Sequence, residues 1–80
     1  MERHERPQDG LLQRTVGRSV RRIRLDRGLS QEELADELGV HRTYMGGVER
    51  GERNLTLRSV ERLARGLGVD PLALMTDDAR

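Results

Sequence analysis

The stretch SQEELADELG, residues 30–39, sets the tightest limit on how this chain folds. Ser30 followed three residues later by Glu33 is a capping box, in which each side chain takes a backbone N–H that the first helical turn leaves unpaired. A helix therefore starts at Ser30, runs through Leu34, Ala35 and Leu38, and stops at Gly39. It is only about two turns long. After Val40 a third helix is predicted from about Arg42 to Arg50, ended by Gly51.

The flanking segments carry the same punctuation. Leu12, Val16, Val20 and Ile23 recur at helical spacing and form one apolar stripe that Gly28 terminates, with arginines over most of the other face. Thr56 caps a fourth helix with the stripe Leu57, Val60, Leu63, Ala64 and Leu67. Asp70-Pro71 is a cap followed by proline at the first helical position, opening a short fifth helix from Leu72 to Met75. No segment has the alternation of a strand. The predicted fold is all-α, a compact bundle of four to five helices spanning residues 11–76, with a flexible N-terminal arm at 1–10 and a C-terminal tail at 77–80.

Composition removes several functions. With no cysteine and two isolated histidines among 80 residues, neither a disulfide framework nor a cysteine-ligated zinc site can form, and no cofactor or metal is expected. No nucleophile–base–acid set or phosphate loop can be assembled, so the chain is not expected to be an enzyme. The longest apolar run, Leu72-Ala73-Leu74-Met75, is far too short for a membrane span, and a cytoplasmic protein is expected. Tyr44 is the only aromatic residue, which excludes stacking on successive bases of a single strand and leaves duplex DNA as the more fitting nucleic acid. A net charge of +1 is a weak footprint, but its distribution is uneven. Arg14, Arg18, Arg21, Arg22, Arg24 and Arg27 crowd the first helix, whereas Glu32, Glu33, Asp36 and Glu37 occupy the second.

Two short helices joined at a glycine match the helix-turn-helix. From Gln31 to Arg50 the chain resembles the Cro/repressor type of that motif. The agreement covers Gln31 at the start, Leu34, small Ala35 where the helices cross, Leu38, Gly39 in the turn, Val40, then Met45 and Val48. The lead-in RRIRLDRGLSQEELA and the following VERGERNLTLRSVERLARGLGVDP extend the resemblance over roughly residues 14–75. Within that family, RTYMGGVERGERNLT is most similar to the controller proteins of restriction-modification systems. The resemblance implies a lambda repressor-like domain that binds double-stranded DNA.

A helical wheel puts Met45, Val48 and His41 on the core side of the third helix and Thr43, Gly46, Gly47 and Arg50 opposite. His41 is accordingly expected to be partly buried. The glycine pair is expected to face the major groove, either as a point of close backbone approach or as a silent middle between reading ends. The family more often has a polar side chain at the first of these positions. Arg42 has the two donors that match guanine O6 and N7, and Thr43 offers a hydroxyl or a methyl. The resemblance implies a phosphate contact by Gln31. Arg50, Arg53 and Asn54 follow the reading helix and are expected at phosphates, with Arg53 also within reach of a base. Tyr44 is either a phosphate ligand or core with a wet tip, and Arg50 has the alternative of pairing with Glu49 or Glu61. Of the first-helix arginines, Arg24 is expected to approach DNA.

The expected function is a sequence-specific transcription regulator that binds a two-fold related operator as a homodimer, with Leu72, Leu74 and Met75 in the dimer interface. The acidic residues Glu32, Glu33, Asp36 and Glu37 suit a helix N-terminus electrostatically. By the resemblance they also suit a contact with RNA polymerase, which some activators of the family make through this helix. The rival reading is a protein-interaction module of the same fold, such as the antitoxin of a toxin–antitoxin pair, favoured by low net charge and the bare glycine face.

Overall fold

The computed structural model describes residues 10–76. The expected arm up to residue 9, His4 and the expected tail at 77–80 lie outside the described residues. Five helices follow in order: α1 Leu11–Asp26, α2 Gln31–Leu38, α3 Arg42–Glu49, α4 Leu57–Leu67 and α5 Pro71–Leu74. Three begin as the local chemistry dictates. Ser30 accepts from the Glu33 N–H at 3.0 Å while the Glu33 carboxylate accepts from the Ser30 N–H at 2.8 Å. Thr56 accepts from the Ser59 N–H at 3.0 Å, and Asp70 accepts from the Leu72 N–H at 2.9 Å. Gly39 and Gly68 end α2 and α4 in the left-handed region, at φ 70° and 72°.

The core is one cluster: Val16 and Val20 from α1, Leu34 and Ala35 from α2, Met45 and Val48 from α3, Val60, Leu63, Ala64 and Leu67 from α4, and Leu74 from α5. α3 is the pivot, packed against both α1 and α2, while α5 closes over α4 and α1. α1 and α3 meet at Gly17. A Cβ there would run into the backbone carbonyls of Val48 and Glu49, so only a residue without a side chain lets the two helices come this close. Leu12, expected in the core stripe, is 51% exposed at the mouth of a cavity of about 150 Å³ shared with Leu55, Leu57 and Met75.

Three expectations are corrected here. Leu74, placed at a dimer surface, is fully buried because α5 drives it between α1 and α4. Met75 packs half-buried against the same core, and Leu72 alone of the three stays exposed, at 68%. His41 is exposed rather than partly buried, because it is the N-cap of α3 with extended backbone (φ −73°, ψ 145°) and so lies off the helical wheel that placed it inward. Among the described residues no helix is long and apolar enough to cross a membrane.

Candidate nucleic-acid interface

α3 buries Met45 and Val48 and turns its first residues, Arg42 and Thr43, to solvent. Gln31, the first residue of α2, reaches across to the C-terminal end of α3, where its amide donates to Glu49 Oε1 at 3.0 Å. That interaction leaves its other amide proton and the carbonyl Oε1 for further partners. Glu49 is the hub of this corner. Arg24 grips it with both prongs, Nε to Oε2 at 2.7 Å and Nη2 to Oε1 at 3.0 Å, and gives Nη1 to the Leu29 carbonyl at 2.9 Å. Burial pushes the Glu49 carboxyl up, but hydrogen bonds from Arg24 and Gln31, with the Arg24 and Arg21 charges, outweigh it and hold the group below the ordinary carboxylate value.

Arg24 is therefore not the DNA contact it was expected to be. Its side chain is 11% exposed and that of Glu49 3%, and the guanidinium fastens the C-terminal end of α1 to α3 and to the loop before α2. A sequence can show that Arg24 stands on the stripe side of α1, one residue past Ile23. It cannot show that a carboxylate 25 residues later closes over it. Glu49 was the missed residue; the only signal was its position as the last residue of α3, beside the apolar pair Met45 and Val48.

The glycine pair also needs correction. Gly46 and Gly47 were expected to stand open toward a groove, yet both are buried. What covers them is polar. A Cβ on Gly46 would lie 3.1 Å from Arg50 Nη1 and 3.7 Å from Gln31 Oε1, and a Cβ on Gly47 would lie 2.9 Å from Arg53 Cδ. Gln31 from α2, and Arg50 and Arg53 from the connection after α3, thus converge over the middle of α3. Arg50 donates to Glu52 at 3.0 Å, not to Glu49 or Glu61, and stays exposed. The Arg53 guanidinium sits 4.8 Å from the centre of the Tyr44 ring, a cation–π contact, and Tyr44 itself packs half-buried against the core. Asn54 is exposed beside them and lines, with His41, Tyr44, Arg53, Ser59 and Arg62, a cleft of about 440 Å³ floored by Leu38, Val40 and Leu63. The exposed surface around α3 is thus rich in donors and arginine: Arg42, Thr43, Gln31, Arg50, Arg53 and Asn54. Two interior glycines weaken the helix by about 2 kcal/mol relative to alanines.

A helix-turn-helix family model matches residues 20–74, a span that includes the Ser30 cap, the Gly39 turn and Glu49. The chain belongs to the helix-turn-helix family. Among its relatives, the control protein C.BamHI of Bacillus amyloliquefaciens is 47% identical over 60 residues, 74% of this chain and 74% of that protein. The crystal structure of the restriction-modification controller protein C.AhdI from Aeromonas hydrophila superposes with a TM-score of 0.68 at 44% identity, covering 78% of this chain and 94% of that one. The controller protein C.Esp1396I, seen as a tetramer in complex with its natural 35 base-pair operator, superposes at 0.68 with 40% identity over 79% of this chain and 83% of that one. The resemblance to controller proteins read from RTYMGGVERGERNLT stands on these matches. Within this helix-turn-helix protein α2 and α3 are the two helices of the motif.

Proposed function

We propose that this chain is a sequence-specific transcription regulator that acts on duplex DNA in the cytoplasm and reads a two-fold related operator as a homodimer. The observation that carries the reading is the two-sidedness of α3: its inner side is locked to the core by Met45 and Val48, and its outer side gathers Arg42, Thr43, Arg50, Arg53 and the Gln31 side chain around one ridge. A rigid helix with donors on its outer side is what the major groove admits. The relative caught on its operator supports the same direction.

In this reading Arg42 and Thr43 meet base edges, Arg53 reaches a base from the loop after α3, and Gln31, Tyr44, Arg50 and Asn54 hold the backbone. Exposed Leu72 is the member of the expected interface set that a second copy would cover. Exposed Glu32, Asp36 and Glu37 on α2 suit a basic surface of RNA polymerase. Glu33 is engaged in the cap.

Arg42→Ala tests the assignment. It should reduce affinity for the preferred duplex by about 1–3 kcal/mol, concentrated at one base pair of each half-site, with a smaller change on unrelated DNA. Uniform weakening on every duplex would make Arg42 a phosphate contact and remove the central base-reading claim.

A further inference from the structure

The glycine pair contributes more than an absence of bulk. Neither Gly46 nor Gly47 has the positive φ that favours glycine, and both lie inside α3, so the backbone there would accept alanine. What glycine supplies is room for the arms lying above it, and the two positions differ. Over Gly47 a Cβ would come within 2.9 Å of Arg53 Cδ and 3.1 Å of Cγ, closer than carbons pack. Those carbons are mid-chain and the guanidinium beyond them rests on the Tyr44 ring, so a shift forced on Arg53 there is passed on to the stack. Over Gly46 the nearest atom is the Nη1 terminus of Arg50, on an exposed side chain that can swing aside.

We propose that Gly47 is a positioning residue for sequence reading: its bare Cα is the seat on which Arg53 lies flat along α3, guanidinium stacked on Tyr44, in the pose from which it reads a base. The proposal rests on the assignment of α3 as the DNA-reading helix, and adds that a residue with no side chain sets the geometry of one reading arm. Arginine has many rotamers to lose on binding, and an arm already confined between a glycine seat and an aromatic ring loses fewer. Gly46, under the looser arm, is the matched control.

Two measurements test this. Tyr44 is the chain's only Phe, Tyr or Trp ring, so an upfield ring-current shift of the Arg53 δ-protons in the NMR spectrum reports the stack without DNA. The shift should be present in the wild type and in Gly46→Ala and absent in Gly47→Ala, with the melting temperature of Gly47→Ala equal or higher. The second measurement is affinity for the best duplex that the wild type selects from a random pool. Gly47→Ala should lose about tenfold there and less than about twofold on random-sequence duplex, and should add nothing in an Arg53→Ala background. A shift that persists in Gly47→Ala, or one that vanishes while binding to the selected duplex is unchanged, overturns the proposal. A wild type that prefers no duplex overturns the DNA reading instead, and the proton shift still decides whether Gly47 seats the arginine.

Discussion

Arg24 and Arg50 each bind a glutamate, at 2.7 Å and 3.0 Å, and the two pairs do opposite things. Arg24–Glu49 is closed off from water, with side chains 11% and 3% exposed, and ties three segments together. Arg50–Glu52 is open, at 59% and 60%. Both pairs touch the C-terminal end of α3. The inner one determines where the helix lies, because a buried carboxylate stripped of its partner is far more costly than a solvated one. The outer one leaves Arg50 able to exchange Glu52 for another anion, because an exposed pair contributes about 0–1 kcal/mol and gives little up when a phosphate replaces it. The same two residue types therefore build a frame on one side of α3 and leave an exchangeable cation on the other.

The contrast has graded consequences. Arg24→Ala should destabilise the fold by about 3–5 kcal/mol in urea unfolding, by leaving the buried Glu49 carboxylate without its ion-pair partner and with the Gln31 amide as its remaining hydrogen bond. If the loss is under about 1 kcal/mol, the inner pair is no frame. Gly17→Ala attacks the same α1–α3 junction through packing and should cost about 1–3 kcal/mol or more, since backbone carbonyls cannot step aside as a side chain can. Gly47→Ala, against a movable arginine, should not share that loss.

Acid should act on the inner pair. The Glu49 carboxyl sits below its ordinary value of 4.5, so its contribution to stability is fully present above that pH and is lost as pH falls through the lower folded value. Glu33, lowered by the hydrogen bond from the Ser30 backbone, acts in the same direction. Unfolding followed against pH should show stability falling below about pH 4.5, with the acid limb shallower in Glu49→Gln. The smallest effect belongs to Arg50→Ala, expected to change stability by no more than about 0.5 kcal/mol while weakening DNA binding and lowering its salt dependence.

How much of this was legible in the sequence follows the range of the interactions. The capping box at Ser30 and Glu33, the Thr56 cap and Asp70-Pro71 are local chemistry, resolved within three residues, and the helix starts they predict are the observed ones. The all-α fold followed from them. What escaped depends on partners distant in the chain: Glu49 for Arg24, Val48 and Glu49 for Gly17, and α1 and α4 for Leu74. A helical wheel assigns faces, but it treats glycine as an empty place, and so it could not show that arginines lie across Gly46 and Gly47. The exposed ends of α3, Arg42 and Thr43, needed no partner to be recognised as candidates.

The central claim is that the ridge over α3 reads DNA sequence, and selection of bound duplexes from a random pool at physiological salt tests it most directly. The account predicts enrichment of one two-fold related sequence whose half-sites lie about one helical turn, ~34 Å, apart, bound well above bulk DNA. Binding that shows no preference over bulk DNA, and that fades with salt alike on every sequence, would contradict it.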